Sequence, residues 1–391
     1  MNKPDITEDI LLTKPFVPPL NEFLPYLNRI WDSRRLTNGG DIHEEFEQAL
    51  CKYLGVKYIC LVANGTLALM LGLRALELKG EVITTPFTSP ATLQAIYWNN
   101  LKPVFVDINE TDLNIDSSSI ESAITEDTTA IMPVHLFGTP CNIDIIQQLA
   151  LKHSLKVVYD AAHCFGVEID GNSICNYGDL SILSFHATKI FNTFEGGAIV
   201  CHNLETKKHI DALKNSGLNH DNNLIGYGVN AKMNEIQSAF GLCQLKYVDE
   251  NISGRKVLTS KYKESLNGIK GLRIPAEWKG IKHNYSYFPI IINPQEFGAD
   301  RDELYDHLKN DNIITRKYFY PLVSNSPVFE IFRKRDLPIA ENIAENILCI
   351  PLYHDITDEQ ISKITHSIYQ FHMKRIENQN PPCNSNQDCI R

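Results

Sequence analysis

Apolar and polar positions follow two alternating rhythms along most of this chain. Residues 1–22 carry four prolines, Pro4, Pro15, Pro18 and Pro19, which interrupt both rhythms and predict an extended arm rather than a packed element. A helical period begins at Glu22 and stops at the glycine-rich turn Thr37-Asn-Gly-Gly40, and a second helix is expected over 44–53. Strand-like and helical runs then take turns. The run 56–62 leads into 66–78, which is apolar nearly all round and is expected as a buried helix. Short β-rich runs stand at 81–85, 103–107, 130–134, 156–160 and 182–185, with helical patterns such as 143–153 between them. Strands buried on both faces and joined by crossover helices imply an α/β domain with a largely parallel sheet.

A long helix over 234–248 leaves this domain, and after Asn251 the pattern changes to an α+β mixture. A strand is expected at 285–292, a helix at 301–310 and a strand at 313–318. The expected organisation is therefore an arm (1–22), a large domain (23–250), a smaller C-terminal domain (251–375) and a polar tail (376–391) that frays. With 391 residues the chain has room for both cores.

Composition narrows the classes of function. Apolar residues make up 43% and charged residues 21%, a globular balance. The net charge of −10 argues against nucleic acid as the main partner, although a local pocket can still hold a phosphorylated ligand. Ten cysteines are scattered without a C-x-x-C pair, mostly inside apolar runs, so reduced thiols are expected rather than a disulfide framework or a metal site. The N-terminus lacks a signal-peptide core and no apolar run reaches about 18 residues, so a soluble, cytoplasmic protein without membrane attachment is expected.

The segment Ser184-Phe-His-Ala-Thr-Lys189-Ile-Phe-Asn-Thr-Phe-Glu195-Gly196-Gly197 sets one lysine in a turn between two apolar runs. Flanking strands desolvate such an amine and lower its pKa, which suits capture of a carbonyl as a Schiff base. Pyridoxal phosphate chemistry would also need an anion for the ring nitrogen and a cup for the phosphate. Asp160 ends the apolar run 155–159, where carboxyl ends of parallel strands face the ligand crevice, although alone it is equally a helix cap. Asn64-Gly65-Thr66 follows a strand and opens a helix, offering free N–H groups and a hydroxyl; alone it is an ordinary strand-to-helix turn. The order of phosphate turn, carboxylate and lysine, each at an expected strand end, separates this reading from chance.

These motifs, with Asp160-Ala-Ala-His163 and Glu195-Gly196-Gly197, resemble the DegT-type family of pyridoxal-phosphate-dependent sugar-nucleotide aminotransferases over roughly residues 10–375. The resemblance implies the aspartate-aminotransferase-like fold (fold type I) and a homodimer with active sites at the subunit interface. It makes Lys189 the Schiff-base lysine and proton shuttle, Asp160 the partner of the pyridinium, and His163 the group near the ring O3′ oxygen. Gly65, Thr66 and Ser184 would hold the phosphate, with Asn230 reaching it from the neighbouring subunit. One departure stands at Ser89, where the family usually carries an aromatic residue that stacks on the ring; Phe87 lies close by.

Glu195 before the glycine pair is similar to family members that aminate C-4 of a dTDP-4-keto-6-deoxyhexose with L-glutamate as donor, passing through pyridoxamine phosphate. Relatives that act at C-3 more often carry Gly-Asp-Gly-Gly there. Arg316, Lys317, Tyr318 and Tyr320 resemble the segment that meets the nucleotide sugar. C-3 amination, a GDP- or UDP-linked substrate and a non-catalytic regulatory protein on the same fold are the alternatives. Dehydratase relatives replace the lysine by histidine, and a nicotinamide dehydrogenase would need a G-x-G-x-x-G that this chain lacks.

Overall fold

The computed structural model describes residues 9–37 and 39–379. Its strands are β1 (Tyr58–Val62), β2 (Glu81–Thr84), β3 (Lys102–Phe105), β4 (Thr128–Ile131), β5 (Lys156–Asp160), β6 (Glu168–Ile169) and β7 (Asn172–Ser173). They continue with β8 (Leu180–Ser184), β9 (Gly197–Cys201), β10 (Leu272–Arg273), β11 (Ile281–Lys282), β12 (Phe288–Ile292) and β13 (Ile347–Ile350). Seven of them build one sheet in the order β1-β9-β8-β5-β4-β2-β3.

Strands β3, β2, β4, β5 and β8 run parallel, as the doubly buried apolar runs imply. Strand β9 runs antiparallel between β1 and β8, with Gly197 opposite both Val62 and Ser184. The loop 185–196 therefore leaves and re-enters the sheet at one edge, and that edge is where the parallel strands end. Successive side chains go to opposite faces. Ile59 and Leu61 of β1, with Val157 and Tyr159 of β5, pack in one core. Cys60 and Val62, with Val158 and Ile182, pack in the other.

A second sheet, β10-β12-β13, backs a third core built from Leu258, Tyr262, Ile290, Leu304 and Leu348. In place of one helix over 234–248 there are two, Glu235–Leu245 and Val248–Leu266, parted by a tight turn in which Lys246 and Tyr247 bond three residues back. The second helix runs through the expected 250/251 junction, giving Ile252 to a large-sheet core and Leu258 to the third. Its buried Arg255 donates to the carbonyls of Tyr285, Ser286 and Leu352 at 3.1–3.3 Å.

Three local expectations fail. The arm is extended, but it packs: Ile10 and Leu12 are buried, and Ile10 bonds to Asn312 and Ile314. Segment 313–318 is not a strand; it makes only isolated pairings at Ile313 and Arg316. The ladder beside β13 stops after Arg316–Cys349 because the chain turns at Lys317–Tyr320. The tail expected at 376–391 is helical to Gln379, and the remainder lies outside the described residues. Among the described residues no helix is long and apolar enough to cross a membrane.

Candidate active site

At the sheet edge, the ends of β1, β2, β5 and β8 and the loop after β8 enclose a cavity of about 730 Å³. Gly65, Thr66, Asp160, His163, Ser184, Lys189, Glu195, Arg316 and Tyr318 all line it. Residues scattered over some 250 positions of sequence thus meet in one place.

One end of the cavity is the start of helix Gly65–Ala75. Asn64 caps it, its side chain accepting from Leu67 N at 2.9 Å and its carbonyl from Ala68 N at 3.1 Å. The Gly65 and Thr66 N–H groups keep no protein partner among the described residues. A methyl on Gly65 would lie 2.8 Å from Ser184 Cβ and 2.9 Å from its Oγ, and one on Gly197 would lie 2.7 Å from the Asn64 backbone. The two glycines let the helix start rest on the end of β8 and the beginning of β9, so two free amides and the hydroxyls of Thr66 and Ser184 line one end of the cavity. That donor set suits a phosphate dianion.

Asp160 ends β5 almost wholly buried. Its Oδ1 accepts from Ala162 N at 3.1 Å and its Oδ2 from Thr92 Oγ1 at 2.7 Å. Burial pushes the carboxyl up, against the opposing pull of Thr92, Ala162 and Lys189. A cation above it would reverse that penalty.

Lys189 Nζ has no hydrogen-bond or ion-pair partner among the described residues; it lies 5.7 Å from the Tyr287 ring centre. Burial lowers its pKa, with Tyr318 and Asp160 opposing. His163 is buried, and burial then Lys189 hold it well below the usual imidazole value, so it is neutral. Its Nδ1 accepts from Phe137 N at 3.2 Å, which assigns the ring proton to Nε2. An amine without a partner, a buried carboxylate, an imidazole with Nδ1 accepting and a helix start with two free amides together fit pyridoxal phosphate.

Some expected residues stand elsewhere. Phe87 is fully buried, edge-on to Phe319 at 5.6 Å, and forms core behind the cavity rather than its wall. Ser89 lines the cavity and caps helix Pro90–Trp98 through Ala91 N. An aromatic is nevertheless present: Phe319 lies parallel to His163, centres 6.4 Å apart. Tyr320 lines an adjoining cleft of about 550 Å³ that shares Lys189 and Arg316 with the main cavity. Lys317 is engaged by Asp302 at 2.7 Å. Arg316 lies over the Tyr318 ring at 4.7 Å. Glu195 pairs with His186 at 3.5 Å at the mouth. Asn230 is outside the cavity, on an exposed segment where it pairs with Asn215.

Sequence reasoning missed Thr88, Thr92, Tyr287 and Phe319. Tyr287 lies just before β12 and engages Tyr318 and Thr188. No local pattern marks these residues; Thr92 reads as one more small polar residue in the first turn of a helix.

The sequence matches the description DegT/DnrJ/EryC1/StrS aminotransferase family over residues 20–369. It is 46% identical over 360 residues to a dTDP-4-amino-4,6-dideoxy-D-glucose transaminase of Shigella dysenteriae, covering 92% of this chain and 98% of the relative. A transaminase of the same description from Escherichia coli is 46% identical over 362 residues, covering 91% and 97%. The crystal structure of DesI, solved in the presence of its TDP-sugar product, superposes with a TM-score of 0.91 at 32% identity, covering 96% of this chain and 95% of DesI.

Proposed function

This chain belongs to the DegT/DnrJ/EryC1/StrS aminotransferase family, and on that premise we propose that it moves an amino group from L-glutamate to C-4 of dTDP-4-keto-6-deoxyglucose. The product would be dTDP-4-amino-4,6-dideoxyglucose, the sugar named for relatives 46% identical over nearly their whole length. The observation that carries the chemistry is the unpartnered, low-pKa amine of Lys189 in one cavity with a buried Asp160 and a phosphate cradle.

Pyridoxal phosphate bound there would supply an electron sink for amino transfer. Gly65 N, Thr66 and Ser184 would bind its phosphate, and Asp160 would hold the ring nitrogen protonated. The Nε2–H of His163 would donate to the ring oxygen. Lys189 Nζ, whose pKa burial lowers and which has no partner among the described residues, would move the α-proton of the donor and, in the second half, bring a proton to C-4 of the sugar. Arg316 and Tyr318 meet the anionic nucleotide sugar, while Glu195 at the mouth accepts from its hydroxyls. In this reading residues 23–250 bind the cofactor and 251–375 form the smaller domain that completes the cavity.

We further assign the active form to a homodimer. The segment around Asn230 exposes Leu224, Ile225 and Tyr227, apolar surface that a second copy would cover while Asn230 reached that copy's phosphate. The eight described cysteines are unpaired, in keeping with a cytoplasmic enzyme.

Purified protein should show a visible band that bleaches with L-glutamate and is lost in Lys189→Ala. A colourless protein that pyridoxal phosphate cannot reconstitute sinks the proposal. Incubation with dTDP-4-keto-6-deoxyglucose and glutamate should give an amine at C-4 with ping-pong kinetics. Amination at C-3, or only of GDP- or UDP-linked sugars, overturns the narrower substrate assignment.

A further inference from the structure

Asp160 is buried in the wall of the cavity, and its two oxygens are each held by a different element. Oδ1 takes the Ala162 N–H from the turn after β5, and Oδ2 takes the Thr92 hydroxyl from helix Pro90–Trp98. An ionised carboxylate has no proton to give, so Thr92 is the donor in the 2.7 Å contact. Its only hydroxyl hydrogen is then spent. The 2.8 Å contact between Thr92 Oγ1 and Thr88 Oγ1 must therefore run from Thr88 as donor. The chain has one direction: Thr88 to Thr92 to Asp160. Thr92 is fully enclosed and Thr88 nearly so, which closes this chain of hydroxyls to water behind Asp160.

We propose that Thr92, oriented by Thr88, is the positioning residue that holds the Asp160 carboxylate against a protonated ring nitrogen in the cavity. This rests on the pyridoxal phosphate reading above. Two anchors on different oxygens prevent rotation of the carboxylate, and each oxygen keeps lone-pair capacity for a cavity donor. The Thr92 bond also stabilises the charged form that burial penalises. A buried threonine needs a partner in any case, so a purely structural role is the competing explanation. It differs in one respect: it leaves the ring nitrogen unaffected.

The test uses full-length protein loaded with pyridoxal phosphate carrying ¹⁵N in the ring, and follows the ring-nitrogen chemical shift with pH. Wild type should keep the proton throughout the accessible range. Thr92→Val removes the hydroxyl at constant shape and should lose the proton about one to two pH units lower, the equivalent of one charge-assisted hydrogen bond. Thr92→Ser should restore wild-type behaviour, and Thr88→Val, which frees the Thr92 hydroxyl to turn away, should fall between. A loaded Thr92→Val protein with the wild-type titration overturns the inference. If Thr92→Val does not fold, a Thr88→Val protein identical to wild type overturns it instead. Failure of wild type itself to take up the cofactor refutes the earlier reading, and is told apart because no ring signal appears.

Discussion

Substituting Gly65 by alanine tests the phosphate cradle with a single methyl group. The new Cβ would sit 2.8 Å from Ser184 Cβ, 2.9 Å from Oγ and 3.3 Å from Cα. Ordinary carbon contacts lie at about 3.5–4.0 Å, so the helix start and β8 must part by roughly 0.7 Å. Strand β8 is held between β5 and β9, so the helix moves, and its buried Leu69, Leu71 and Leu73 move with it. Overpacking of this kind costs about 1–3 kcal/mol. Alanine's better helix propensity offsets up to about 1 kcal/mol of that. Apoprotein stability should therefore fall by only about 1 kcal/mol. Phosphate binding should suffer more, because the methyl crowds the Ser184 hydroxyl and shifts the helix start that carries the two free amides. Losing one or two charge-assisted bonds at about 1.5–3 kcal/mol each corresponds to at least a tenfold and more nearly a hundredfold weaker cofactor affinity. Fluorescence titration of apoprotein with pyridoxal phosphate, beside a urea unfolding curve, separates the two effects. A Gly65→Ala protein that binds the cofactor with wild-type affinity would refute the placement of the phosphate.

Other consequences follow from the buried charges. Asp160→Asn should lower turnover about 10³-fold through loss of the ring-nitrogen partner, yet make the apoprotein more stable by roughly 1 kcal/mol, since burial raises the Asp160 pKa; unfolding curves showing a less stable apoprotein contradict this. Lys189 has its folded pKa below the ordinary 10.5, so between those values the unfolded chain holds more protons and apoprotein stability should rise with pH. Lys189→Met should flatten that rise, and an unchanged slope means the amine is not desolvated. Arg316 is exposed, so Arg316→Ala should raise KM for the nucleotide sugar only about fivefold with kcat nearly unchanged. A large loss of kcat would instead place Arg316 at the reacting atoms.

Local chemistry alone determined much of this molecule. Runs such as 156–160 and 182–185 are apolar on both faces, and only a covered, largely parallel sheet buries both faces of a strand. Motif order singled out the turn at Asn64-Gly65-Thr66, Asp160 and Lys189, and the fold brings all of them to one cavity. Only the tertiary structure decided the rest. The antiparallel return of β9 brings Gly197 against Asn64, a contact with no sequence period. Segment 313–318 has strand composition, but its partner ladder ends after one pair where the chain turns into the cavity. Phe87 is near the expected stacking position in sequence, yet it packs behind Phe319, which comes from far along the chain. Thr92 faces Asp160 across 68 positions. Patterns of period two and 3.6 report which face of an element is buried; which side chains meet there depends on how the elements cross, and that is a property of the packed fold.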